Sequence, residues 1–282
     1  MKVSKSRKLF LILNVLFMLL VCLAIAVPMW MVVITSFSTN EVAAAEGFVF
    51  IPKGFDLSSY QAVFSSSGYM GAFLRSIGVT ISATALSMVL TTTMAYALAQ
   101  KDLVFRNFFM NAVLLTMVVD GGIIPFYMVI RQMGMIDTYA ALIIPMAITT
   151  YNLILMRNFF ASLPESLMES ARLDGCSELG ILCRIVLPIS VPILAAILLF
   201  YAVGHWNRYF EVIMFINSSK KYTLQVLLRQ LIFQSEGEGT FSVQVNNFKM
   251  AVMVITMLPI LALYPFIQKY FISGLMLGSV KG

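Results

Sequence analysis

The chain has 282 residues, of which 60% are hydrophobic and 11% charged, with a net charge of +6 and a mean hydropathy of +0.90. An ordinary soluble domain is about 45–50% apolar and about 25% charged, so a water-soluble globular protein is excluded and the excess apolar surface belongs in a bilayer. In such a chain the basic residues report orientation rather than nucleic-acid binding.

The opening stretch MKVSKSRKLFLILNVLF has the basic start of a secretion signal. Residues Leu9 to Phe37, however, are uncharged throughout. That is well beyond the apolar region of roughly 7–15 residues that a cleaved signal carries, and no small-x-small cleavage site ends it early. A retained anchor helix is expected.

A spanning helix needs about 20 mostly apolar residues. Six segments meet that length: Leu9–Ser36, Gly71–Gln100, Asn107–Ile130, Thr138–Phe160, about Ser190–Ile216, and Phe248–Tyr270. The third is interrupted by Asp120-Gly121-Gly122 and Pro125. Lys2, Lys5, Arg7 and Lys8 should keep the N-terminus in the cytoplasm, and six spans return the C-terminus there. Lys220, Lys221 and Arg229 then fall outside, so the charge bias is concentrated at the N-terminus. The organisation read from this is a cytoplasmic stretch at 1–8, a first transmembrane helix with an external segment at 9–70, and a five-helix core at 71–282 with a cytoplasmic loop at 161–188. The outer stretch TLQVLLRQLIF, Thr223–Phe233, has helical apolar spacing and should pack on neighbouring spans. SEGEGT after it reads as a loop. Cys22, Cys176 and Cys183 form no C-x-x-C pair and are expected to be small buried or inert thiols rather than a disulfide or metal site.

One segment stands apart. ESARLDGCSELGILCRIVLP, Glu169 to Pro188, places five charges around an Asp-Gly turn between two apolar runs. Ser162-Leu-Pro-Glu165 fits a capping box. Leu163, Leu167 and Ala171 share one helical face, Gly175 can take the left-handed conformation that ends a helix, and a second helical piece should run from Glu178 to about Ile185, limited by Pro188. The unit is a helix, a sharp turn and a helix at the membrane surface. A short helix is marginal in water. It is therefore either a loop packed under its own bundle or a coupling element gripped by another subunit.

Here the motifs carry a resemblance. Glu169-x-Ala171-x-x-Asp174-Gly175, then Ile185-x-Leu187-Pro188 and Pro192, resembles the E-A-A-x-x-x-G…L-P signature of permease subunits of bacterial ABC importers; Ser170 stands where Ala is common. Thr91–Ala99, Gly121-Gly-Ile-Ile-Pro125, Met133–Thr138, Trp206-Asn207 and the tail Gln268–Phe271 with Gly278–Gly282 are similar to the maltose-type smaller permease, in its polysaccharide and lipo-oligosaccharide branch. The resemblance implies an all-α integral membrane protein with the type I ABC importer permease fold and six transmembrane helices. It implies a second homologous permease subunit, two cytoplasmic ATP-binding subunits and an external solute-binding protein. In such an assembly ATP and Mg sit on the partner ATPases. This chain would carry no cofactor and no catalytic residue, in keeping with the lack of a G-x-x-x-x-G-K-[ST] stretch. The resemblance makes the charged segment the coupling helix, with Glu169, Ala171, Asp174, Gly175, Leu187 and Pro188 meeting an ATPase.

Polar groups at bilayer depth usually face a cavity. Asp120 lies about 13 residues beyond Asn107, roughly 20 Å into the membrane at 1.5 Å per residue. His205-Trp206-Asn207-Arg208-Tyr209-Phe210-Glu211 combines aromatic faces with polar groups, the composition of a sugar site. The pathway candidates are Asp120, Tyr127, Trp206, Asn207 and Tyr209. The alternative for the second cluster is an Arg208–Glu211 pair at i, i+3 with interfacial aromatics. His205 is expected to be packed or hydrogen-bonded. Arg75, Arg131 and Arg208 lie toward the outer side and could favour an acidic oligosaccharide, or contact a binding protein or headgroups. The expected function is translocation of an oligosaccharide across the bacterial cytoplasmic membrane. The alternatives are an importer permease for a non-sugar solute and an ion-coupled carrier working alone.

Overall fold

The computed structural model describes residues 5–39, 41–42, 49–51, 54–237 and 243–278. Lys2 and the tail beyond Gly278 lie outside the described residues, as do Pro52, Lys53 and 238–242. Among the described residues the regular elements are helices, with one isolated bridge between Ser38 and Phe55. In chain order the helices are α1 (Lys5–Phe37), α2 (Ser58–Ser65), α3 (Ser67–Ala99), α4 (Arg106–Val118), α5 (Ile123–Gln132), α6 (Ala140–Ile143) and α7 (Thr150–Ala161). They continue with α8 (Glu165–Leu173), α9 (Glu178–Ile189, including a π-helical turn at Leu182–Val186), α10 (Val191–Trp206) and α11 (Phe210–Phe215), then α12 (Leu224–Gly237) and α13 (Val243–Gly278).

Three of these are long and apolar enough to cross a membrane: α1, α3 and α13 over Asn247–Pro265. Two bent pairs, α4 with α5 and α9 with α10, raise the number to five if each pair is one span. α1 matches the anchor expected at Leu9–Ser36. Its side chains from Ser6 to Trp30 are exposed on the chain, as an apolar helix facing lipid should be.

Several expectations change. The segment Asn107–Ile130 is two helices meeting at 118°, not one rod. Gly122, at φ +79, makes the corner, and the carboxylate of Asp120 accepts its amide at 3.0 Å. The segment Thr138–Phe160 is likewise broken, between α6 and α7, at Pro145. Proline lacks an amide donor and clashes with the carbonyl four residues before it. The segment Ser190–Ile216 breaks at Asn207–Tyr209, after which α11 starts afresh. At the start of that segment α9 and α10 meet at 88° about Ser190. SEGEGT does not begin as a loop, since α12 runs through Gly237. Cys22, Cys176 and Cys183 are all free thiols, Cys22 and Cys183 exposed on the chain and Cys176 half-buried.

The chain forms two compact units. In the unit made of 1–70 and 227–258, Phe37 stacks on Phe55 and Tyr60 at 5.6 and 5.0 Å. Ser36 hydrogen-bonds the Tyr60 hydroxyl at 2.7 Å, and the side-chain amide of Asn247 donates to the Ser38 carbonyl. In the unit made of 71–226 and 259–282 there are two apolar cores. One gathers Tyr96, Leu98, Leu153, Met156, Phe160, Ala171, Ile181, Val186, Ile197 and Tyr201. The other gathers Ile130, Leu142, Val212, Phe215, Ile216 and Val226.

A buried polar seam joins α3 to α10. Ser87 hydrogen-bonds His205 Nε2 at 3.0 Å, and Thr91 bonds the Tyr201 hydroxyl at 2.6 Å. Tyr201 also accepts the Thr149 amide at 3.1 Å, satisfying a free donor at the start of α7. Ser76 serves α12 in the same way, accepting the Leu224 amide at 2.8 Å while donating to Gln225 Oε1 at 2.9 Å.

Candidate functional site

Residues 162–189 form the helix–turn–helix that the sequence suggests, with different chemistry at its entrance. The capping box is absent: Ser162 ends α7, and its hydroxyl donates to the Phe159 carbonyl at 2.7 Å. Pro164 takes the position before α8. Glu165 is thereby free to reach Lys101 instead, at 2.5 Å. The Glu165 side chain is the leading cause of the raised Lys101 ammonium pKa.

The exit of α8 is a Schellman motif. The Cys176 amide donates to the Ala171 carbonyl at 2.9 Å, and the Gly175 amide donates to the Arg172 carbonyl at 3.0 Å. This closes the last carbonyls of the helix and puts Gly175 at φ +79. A Cβ there would meet nothing within 4 Å. Glycine is required by backbone conformation and not by crowding. The next helix starts at Ser177, whose hydroxyl accepts the Gly180 amide at 3.2 Å.

Pro188 does not stop this second helix, contrary to expectation. The chain passes through a π-helical turn at Leu182–Val186 and stays helical to Ile189. A wider turn just before proline relieves its conflict with the carbonyl four residues back. The break falls two residues later, at Ser190.

Of the six residues expected to meet an ATPase, Glu169, Asp174, Gly175 and Pro188 are exposed, Leu187 is half-buried and Ala171 is buried. Ala171 belongs to the core beneath the segment. Two leucines that sequence reasoning passed over are the most exposed apolar groups in the segment: Leu173 at 89% and Leu179 at 70%. Their signal was present as apolar residues flanking a charged turn on a surface segment.

Sequence reasoning also passed over the group that holds the segment down. Arg172 Nε donates to Glu178 Oε1 at 2.8 Å, and Arg172 Nη2 donates to Gln100 Oε1 at 2.8 Å. The Tyr96 hydroxyl donates to Glu178 Oε2 at 2.6 Å. Arg172, and then Tyr96, hold the Glu178 carboxyl below its ordinary pKa.

The five pathway candidates do not line one cavity. Asp120 lines an open cavity of about 1120 Å³ with Thr116, Thr150, Arg208, Phe210 and Glu211. This exceeds the roughly 300–1,000 Å³ of ordinary small-ligand pockets. Trp206 is buried, edge-on to Phe73 at 6.2 Å, away from that cavity. Asn207 caps α10 and is exposed. Tyr209 packs against the second core, and Tyr127 lies parallel to Phe215 at 6.3 Å. The break in the polypeptide at 207–209 sends successive side chains to different surroundings.

Arg208 does not pair with Glu211. Its Nη1 donates to the Leu142 carbonyl at 2.7 Å, and its Nη2 lies 3.5 Å from the Met146 carbonyl. Both carbonyls flank the Pro145 break, where the helical ladder leaves them without amides. Arg75 is similarly occupied, donating to the Tyr222 carbonyl at 3.0 Å. Arg131 is exposed. His205 is packed and hydrogen-bonded as expected, parallel to Tyr201 at 5.8 Å.

Long apolar helices, bent helix pairs and a polar helix–turn–helix are the architecture of a membrane protein. The chain belongs to the family of binding-protein-dependent transport system inner membrane components, which it matches over residues 1–276. It is 43% identical to Protein LplC of Bacillus subtilis (strain 168), over 99% of this chain and 97% of LplC. It is 44% identical to the polygalacturonan/rhamnogalacturonan transport system permease protein YtcP of the same organism, over 94% of this chain and 96% of YtcP. Among solved structures it superposes on a chain of a bacterial ABC transporter involved in the import of the acidic polysaccharide alginate. The TM-score is 0.88 at 30% identity, covering 96% of this chain and 99% of that one. The fold is thus that of an ABC importer permease. Another chain, from an alginate ABC transporter in complex with alginate pentasaccharide-bound periplasmic protein, shares the fold at a TM-score of 0.51 and 15% identity.

Proposed function

We propose that this chain is one of two permease subunits of an ATP-driven importer that moves an oligosaccharide delivered by an external solute-binding protein. In this reading the chain crosses the bacterial cytoplasmic membrane six times, the bent pairs and the α6–α7 pair each serving as one crossing. Both termini lie in the cytoplasm, in accord with the basic N-terminal stretch. Residues 161–188 then face the cytoplasm and seat on one of two ATPase subunits, which bind ATP and Mg and perform the hydrolysis.

The observation that carries this reading is the 165–189 helix–turn–helix. It is buried on its inner face, at Ala171 and Ile181, and presents Glu169, Leu173, Asp174 and Leu179 outward. The two exposed leucines flank the charged turn and offer a partner subunit an apolar contact beside Glu169 and Asp174. When the ATPases close on ATP, a segment of this kind moves with them and rotates the spans between inward- and outward-open states. The sugar class rests on the relatives, whose printed names include a polygalacturonan/rhamnogalacturonan system and an alginate importer. Those names also favour an acidic oligosaccharide. Asp120, which lines the cavity, is the candidate that would face the passage, while Trp206, Asn207, Tyr209 and Tyr127 would support it from outside the cavity lining.

The test is Glu169→Lys and Gly175→Val in the assembled transporter. Both should leave the chain inserted while abolishing transport and substrate-stimulated ATP hydrolysis. Normal stimulated hydrolysis at matched expression would refute the assignment.

A further inference from the structure

Beside the Glu165–Lys101 pair, a polar cluster of four side chains ties the 165–189 segment to the end of α3. Tyr96 and Gln100 stand one turn apart at the end of that helix. Arg172 lies in the last turn of α8, before the Gly175 corner, and Glu178 lies in the first turn of α9, after it. The carboxylate of Glu178 is held at both oxygens, by Arg172 at 2.8 Å and by Tyr96 at 2.6 Å. The guanidinium spans the corner and continues to Gln100 at 2.8 Å. Each of the two short helices is therefore tied to α3 and to the other.

We propose that Tyr96, Gln100, Arg172 and Glu178 are positioning residues for transport: a latch that passes displacement of the 165–189 segment to α3. This rests on the reading of that segment as the ATPase contact. The physical argument is stiffness. Ala171, Ile181 and Val186 give the segment an apolar seat, but apolar packing is non-directional and lets a short helix slide or roll. A charge-assisted pair with two neutral arms fixes direction, because its geometry is lost with small changes in distance and angle. The Schellman turn between the helices is held by two backbone bonds only, and the Arg172–Glu178 pair closes it from the side. α3 is the longest helix touched by the latch, running from Ser67 to Ala99. Pulling at Tyr96 and Gln100 displaces a rod that also carries Ser87 and Thr91, the groups bonded to His205 and Tyr201 of α10. A push at the membrane surface thereby reaches two spans.

The experiment uses the complete transporter, with both permeases, its ATPases and its binding protein, reconstituted in vesicles with the transported sugar. It reads sugar moved per ATP hydrolysed, and the amount of ATPase retained on the permease. Tyr96→Phe, which removes one hydroxyl, Glu178→Gln and Arg172→Ala should retain the ATPase while the transport ratio falls. The expected fall is roughly tenfold for Glu178→Gln and Arg172→Ala and smaller for Tyr96→Phe, the scale set by losing hydrogen bonds to a charged group. The exchanged pair Arg172→Glu with Glu178→Arg should recover part of the ratio lost in the single variants. Variants that only destabilise the chain would lower transport and hydrolysis in proportion. An unchanged ratio with ATPase bound would therefore overturn the latch while leaving the ATPase contact standing. Failure of the reading beneath it has a different signature, with ATPase retention and stimulation unaffected by Gly175→Val.

Discussion

Arg208 and Leu142 are 66 positions apart, and the guanidinium of one donates to the carbonyl of the other at 2.7 Å. The bond mends a fault. Pro145 opens the ladder between α6 and α7, and Arg208, released by the break after α10, closes it from a neighbouring strand of polypeptide. Polar backbone inside a bilayer must find such a partner. Arg208→Ala should therefore cost about 2 kcal/mol, the scale of removing a charged donor from a part-buried acceptor. Thermal unfolding of the detergent-solubilised chain measures it. Arg208→Lys should recover part of the loss, since a point charge replaces a fork.

The same contacts predict how Arg75, Arg131 and Arg208 differ toward sugar charge. Arg75 and Arg208 are engaged on backbone carbonyls, whereas Arg131 is exposed. Arg131→Gln should lower uptake of an anionic oligosaccharide more than that of a neutral one, and Arg75→Gln and Arg208→Gln should lower both alike. Competitive uptake of a uronate oligomer and its neutral counterpart gives the comparison.

Asp137 should act as an acid-sensitive clip. It sits at φ +61, accepts the amides of Asn217 and Ser218 at 3.1 and 2.9 Å, and pairs with Lys221 at 2.7 Å. Lys221, and next Ser218, hold its carboxyl below the ordinary aspartate pKa. A depressed pKa contributes stability above the unfolded value, and the contribution is lost as pH falls through the folded one. The protection of the Asn217 and Ser218 amides, taken against their intrinsic exchange rates at the same pH, should thus be high at neutral pH and fall below about pH 4. In Asp137→Asn, which keeps a side chain tolerant of that backbone conformation, that protection should be low at both pH values.

Gly175 should discriminate by backbone alone. Its φ is +79, and open space surrounds its missing Cβ. Gly175→Asn should retain most transport, Gly175→Ala should lose some through a turn weakened by about 1–2 kcal/mol, and Gly175→Val should lose it. Initial uptake rates at matched membrane content rank the three. Equal loss in all three would mean that the position is limited by contact with a partner and not by conformation.

Sequence alone settled the features that depend on local chemistry. Twenty or more uncharged residues between Leu9 and Phe37 could only be a long apolar helix. An Asp-Gly pair between two amphipathic stretches could only be a corner, and Gly175 does take the left-handed conformation there. The spaced motif around Glu169 and Gly175 indicated the family, since turn and packing requirements are written at fixed intervals along the chain.

Tertiary structure decided everything that depends on which groups meet. The capping box at Ser162 and Glu165 was locally sound, yet α7 claimed the hydroxyl and Lys101 the carboxylate. The bend at Asp120 and the break at Pro145 turned two apparent rods into four helices, because apolar length says nothing about direction once glycine or proline interrupts the ladder. Trp206 and Asn207 are neighbours in sequence, but one is buried and the other exposed. Arg172, Glu178, Tyr96 and Gln100 lie as much as 82 positions apart, and no spacing rule links them. Their meeting is fixed by how α8 and α9 seat on α3. Packing of distant helices, and not local preference, determines it.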